Sequence, residues 1–173
     1  MEINAMERPT IQPQPCTDPN CHGQHATAER IAMATSLCAE RGRKLTTVRR
    51  EVLELLWDRG RATGAYELID MLKRRHDRPV APPTVYRALE FLMSQRLVAK
   101  IESRNAYVPC AHPERRHDCL FLICGICGAS TEFEDSRVAQ ALAEDAATLG
   151  YRMTRPVVEI EGACENCVAS IPS

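Results

Sequence analysis

The chain has 173 residues, 45% of them hydrophobic, enough for one ordinary domain or two small ones and too apolar for a disordered chain. No apolar run approaches the roughly 18 residues needed to cross a bilayer, and the polar, Pro-rich stretch from Met1 to His25 has no secretory apolar core. A cytoplasmic protein without membrane contact is therefore expected. The net charge of −1 conceals an asymmetry: residues 41–104 carry 15 Lys or Arg against 8 Asp or Glu, whereas residues 105–173 carry 5 against 10. A basic module followed by an acidic one suggests that the first half meets a polyanion, although a chance split of solvated charges would look the same.

Residues 1–26 read as a flexible arm, interrupted by Pro9, Pro13, Pro15 and Pro19. A helix is expected from Thr27 to about Arg41, ending near Gly42. The next starts near Thr46 and ends at Gly60, with Val48, Val52, Leu55 and Leu56 as its apolar stripe. A shorter helix runs from Ala65 to about Arg75, with Leu68, Ile69 and Leu72 inward. Pro82 and Pro83 open another, in which Val85, Ala88, Leu89 and Leu92 form one face while Tyr86, Arg87 and Glu90 lie largely away from it. Helices in this order, the last with polar side chains outward, suit major-groove reading. Two short strands, Leu97 to Glu102 and Ala106 to Val108, then form a hairpin like the wing of a winged helix.

The remainder reads as a small α+β unit. Strands are expected at Leu120 to Ile123, Thr131 to Glu134 and Arg155 to Glu161. An amphipathic helix is marked by Val138, Leu142, Ala146 and Leu149. The expected organisation is an arm (1–26), a winged-helix DNA-binding domain (27–109) and a metal-binding domain (110–173). No catalytic constellation is present: no nucleophile has an oriented base, no phosphate loop occurs, and no small organic substrate is implied.

Nine cysteines are many for this length, and an odd number without a signal argues for metal rather than disulfides. Cys124-x-x-Cys127 and Cys164-x-x-Cys167 can aim four thiolates at one tetrahedral zinc. The alternative is a pair of redox dithiols. Cys38 lies on an apolar helix face and reads as core. Cys16, Cys21, His22 and His25 form either a weak metal trap or simply a tail.

Residues 82–92 (PPTVYRALEFL), together with Gly64 to Ile69, Glu102-Ser103, Asn105 to Cys110 and Phe121 to Cys124, resemble the ferric uptake regulator family. Within it, the zinc uptake regulators are the nearest pattern. The resemblance covers about residues 27–168. It implies a zinc-responsive repressor of zinc-uptake genes that binds palindromic operator DNA as a zinc-loaded homodimer. Tyr66 and Arg87 would contact bases, with Tyr86 beside them, and Lys44, Arg49 and Arg50 would touch phosphates. The rival readings are an iron- or peroxide-responsive relative, or a thiol redox protein.

A sensor needs a second, exchangeable site, with Cys110, His112, His117 and Glu132 as candidates around the domain junction; the resemblance points to Cys110, His117 and Glu132. A Cys, His and carboxylate set suits zinc better than Fe(II). Zinc regulators often carry a His in the first wing strand, where this chain has Ala99. His112 is therefore the chosen fourth ligand, ahead of Cys119 or water. The iron-type His-His-Asp-His run is absent, which counts against an iron or peroxide sensor.

Overall fold

A computed structural model describes residues 27–76, 79–110, 112–114, 120–154 and 156–168. The arm with Cys16, Cys21, His22 and His25, and also His117 and Cys119, lie outside the described residues. The elements are α1 (Thr27–Glu40), α2 (Thr47–Arg59), β1 (Thr63–Gly64), α3 (Ala65–His76), α4 (Pro82–Ser94), β2 (Val98–Ile101) and β3 (Ala106–Pro109). There follow β4 (Leu120–Cys124), β5 (Ser130–Phe133), α5 (Ser136–Thr148), β6 (Val158–Gly162) and α6 (Glu165–Val168). No described helix is long and apolar enough to cross a membrane.

The helix ends follow local chemistry. Gly42 has φ +64°, which lets its amide bond to Ala39 and that of Arg43 to Cys38, closing α1 in a left-handed cap. Gly60 ends α2 in the same conformation. Pro82 and Pro83 occupy the first turn of α4, where a missing amide costs nothing. Arg96, at φ +57°, closes α4 without glycine: its amide bonds to Met93 and that of Leu97 to Leu92.

The first core joins α1 to α4. Val52, Leu53, Leu56, Leu68, Val85, Leu89 and Leu92 are almost wholly buried. Each contributes roughly 1.5–3 kcal/mol by leaving water. The expected stripes need three corrections. Val48 and Ile69 are only half-buried, because they sit at the margin of the cluster. Leu53 is fully buried, because α2 is covered on more than one side. Tyr86 is half-buried against the core and does not stand fully clear of it.

The hairpin β2–β3 pairs Val98 with Pro109 and Ile101 with Ala106. β1 adds a third, outer strand, giving the order β1-β3-β2. The second sheet has the order β5-β4-β6, with β5 antiparallel and β6 parallel to β4. A cluster of Ile101, Val108, Phe121 and Ile123, with Ala62 and Ala99 packed against it, joins the two sheets. α5 connects β5 to β6 and has no buried residue; Leu142 and Leu149 are 39% and 75% exposed. Its expected apolar face is real but uncovered in the single chain.

Candidate metal centre and nucleic-acid surface

The first cysteine pair lies at the end of β4 and the turn after it. The Cys124 amide bonds to Ala129 O, and the Gly128 amide returns to Cys124 O. Gly128 takes φ +76°, which a side chain would resist. The second pair follows β6 directly, Cys164 just ahead of the short α6 and Cys167 on it, with the Cys167 amide bonded to Cys164 O. Parallel pairing sets Cys124 opposite Gly162, and the Gly125 amide bonds to Gly162 O at 2.9 Å. This register brings the pairs together.

All four sulfurs lie within 4.8 Å of one another. Cys127 Sγ and Cys164 Sγ are 3.7 Å apart. A tetrahedron with Zn–S bonds of about 2.3 Å has S···S edges of about 3.8 Å. The electrostatics favour a cation. Hydrogen bonds from the backbone of Cys127, Cys164 and Ile126 lower the Cys124 thiol to about 6. Hydrogen bonding with Cys164 and Cys127, together with burial and the Cys124 charge, raises Cys167 to about 12. The cluster thus accommodates a first thiolate readily and resists the last. A divalent cation at the centre reverses that resistance. The donor set fits zinc: four soft sulfurs, no carboxylate, and no open ligand position.

A second set of donors lies where β3 leads out of the hairpin. Cys110 is buried, its amide bonded to Leu97 O at 3.1 Å, and its thiol donates to Glu132 Oε1 on β5 at 3.9 Å. His112 is also buried, its Nδ1 3.2 Å from Glu114 Oε1. The structure therefore brings Cys110 to Glu132, places His112 two residues on, and leaves His117 outside the described residues. Ala99 packs against the inter-sheet apolar cluster. Arg41 ties this region to α4: its guanidinium bonds to Gln95 O and, at 2.7 Å, to Pro113 O.

Of the residues expected at DNA, Tyr66 is 74% exposed at the start of α3. Arg87 and Lys44 are exposed. Arg50 is exposed but lies 3.3 Å from Glu54. Arg49, expected at phosphates, is half-buried and held by its own chain. Its guanidinium lies 3.4 Å from the Phe91 ring centroid and donates to Lys44 O at 2.8 Å. It pins the start of α2 to α4.

The family model of the ferric uptake regulator family matches residues 40–161. The chain belongs to the ferric uptake regulator family. Within the family it is 40% identical to the zinc uptake regulation protein of Escherichia coli K12 over 143 residues, 82% of this chain and 83% of that protein. A solved zinc uptake regulator complexed with zinc and DNA superposes with a TM-score of 0.80 at 38% identity, covering 85% of this chain and 98% of the other. The holo form of XcZur gives a TM-score of 0.75 at 41% identity, covering 83% and 99%. The arrangement is that of a winged-helix DNA-binding unit followed by an α/β dimerisation unit, as this family builds it.

Sequence reading missed Glu159. It stands on β6, yet its carboxylate meets the amides of Glu102 and Ser103 in the hairpin turn at 2.6 and 3.0 Å. Glu-x-Glu on a half-exposed strand is indistinguishable from a solvated edge until the hairpin is laid beside it.

Proposed function

We propose that the chain is a zinc-responsive transcriptional repressor, binding operators of zinc-uptake genes as a zinc-loaded homodimer in the bacterial cytoplasm. The observation that carries this reading is a basic winged helix followed by a converged tetrathiolate, in a chain 40% identical to a zinc uptake regulation protein. It describes a regulator rather than an enzyme, divided as arm 1–26, DNA-binding domain 27–109 and dimerisation domain 110–173.

Cys124, Cys127, Cys164 and Cys167 hold a structural zinc. A closed four-sulfur site exchanges metal too slowly to report its supply. Cys110, Glu132, His112 and His117 form the regulatory site, and the approach of Cys110, after β3, to Glu132, on β5, lets zinc favour one angle between the halves. Only a metal that binds that form better shifts the balance. α4 enters the major groove. Arg87 pairs with a guanine edge, and Tyr66, with Tyr86 beside it, contacts thymine methyl groups. Lys44, Arg49 and Arg50 meet phosphates, Arg49 from a position already fixed by Phe91. Dimerisation covers the exposed apolar side chains of the C-terminal half, among them Leu142, Leu149, Ile160 and Tyr151.

The test is operator binding titrated against buffered free zinc, with iron and manganese as controls, at one stated salt concentration. Tight binding that follows free zinc alone is expected. Zinc-independent binding, or a response to iron in place of zinc, overturns the reading.

A further inference from the structure

The tip of the wing is held from outside its own sheet. Glu159, in β6, spans the gap between the two sheets: Oε1 accepts the Glu102 amide at 2.6 Å and Oε2 the Ser103 amide at 3.0 Å. Two consecutive amides on one carboxylate make a small anion cradle. Partial burial pushes the Glu159 carboxyl up, but the hydroxyl of Ser103 and these amides outweigh it and hold it below its usual range. Arg104 adds an ion pair to Glu161 at 3.3 Å. Glu161 is 65% exposed, so water screens that pair and its weight is small.

The same strand leads directly into the second cysteine pair. Cys164 lies two residues beyond Gly162, where β6 ends beside Cys124. The hairpin in turn follows α4 after a three-residue turn that is itself bonded to the helix, the Leu97 amide to Leu92 O. A path of backbone therefore runs from the tetrathiolate along β6, crosses to the wing through the Glu159 carboxylate, and continues to α4.

We propose that Glu159 is a positioning residue for DNA binding, which latches the wing turn to β6 and so fixes α4 relative to the dimerisation half. The proposal rests on the operator-binding reading above and deepens it. The four-cysteine site then does more than keep its own half folded, because it anchors the strand that carries the latch. Without the latch the two halves sample several angles, and affinity drops by the fraction of time spent at the wrong ones. The superposition on a zinc uptake regulator complexed with zinc and DNA covers 85% of this chain and so spans both of the halves that the latch joins.

The test compares full-length, zinc-loaded wild type with Glu159→Gln. Glutamine keeps the size, but its amide offers one acceptor and turns its own N–H groups toward the second backbone donor. Hydrogen exchange at the Glu102 and Ser103 amides is expected to accelerate. Zinc-dependent operator affinity is expected to fall about tenfold, the scale of one lost charge-assisted hydrogen bond. Zinc content should stay at the wild-type level. Glu159→Asp, which keeps the charge on a shorter stem, is expected to show the same faster exchange and guards against misfolding of the first variant. Unchanged exchange in the folded variants, or unchanged operator affinity, overturns the latch. A wild-type protein that fails to bind operator in zinc overturns the functional reading instead.

Discussion

Cys127 Sγ and Cys164 Sγ lie 3.7 Å apart although 36 residues separate them in the chain. The parallel pairing of β4 with β6 produces this meeting, and the two short knuckles turn the thiols inward. Metal and sheet then support each other: the sheet gathers the donors, and a bound ion holds the ends of both strands.

Cys164→Ser should therefore release the tightly held zinc and unfold residues 120–168. Structural zinc supplies roughly 10–16 kcal/mol of apparent binding free energy in small peptides, against about 5–15 kcal/mol for the whole stability of a typical domain. Zinc content by elemental analysis and far-ultraviolet circular dichroism check this. A folded, zinc-free variant would refute the assignment.

Cys110→Ser and Glu132→Gln should leave that zinc in place and shift the response. Loss of an outer-shell partner commonly costs 10–100-fold in metal affinity, and loss of a ligand should cost no less. Operator binding should require at least about 10-fold more free zinc. A midpoint unchanged in both variants would remove these residues from the sensing site.

Arg87→Ala and Arg50→Ala should differ in kind. The first should cost about 1–3 kcal/mol at the cognate operator and relax its specificity. The second should weaken cognate and scrambled DNA alike and reduce the salt slope by about 1. Competition binding at several salt concentrations separates the two. Equal behaviour of the variants would contradict the assigned roles.

Cys38 should resist alkylation by iodoacetamide in the folded protein. It is 1% exposed, and burial raises its thiol against the lowering effect of Arg41 and Arg49, so little thiolate forms and none is accessible. Mass spectrometry of peptides alkylated before and after unfolding gives the comparison. Rapid labelling in the native state would place Cys38 outside the core.

The helices of the N-terminal half were legible because each carries its own signals: Gly42, Gly60 and Pro82 mark ends, and Val85, Ala88, Leu89 and Leu92 recur at helical spacing. The cysteine pairs were legible because ligand spacing is local chemistry. β1 was not, since two residues carry no periodicity, and only pairing with β3 makes Thr63–Gly64 a strand. Nothing local to Arg49 signals that Phe91 lies beneath its guanidinium from α4. By itself, then, the sequence determined where the helices α1 to α5 lie, which cysteines are spaced as metal-ligand pairs, and which half is basic; the short α6 carried no signal of its own. Only the tertiary structure decided that Cys110 meets Glu132, that α5 keeps its apolar face open, and that Glu159 grips the wing. Those contacts join residues far apart in the chain, so no local pattern encodes them. They exist only once two sheets pack through Ile101, Val108, Phe121 and Ile123.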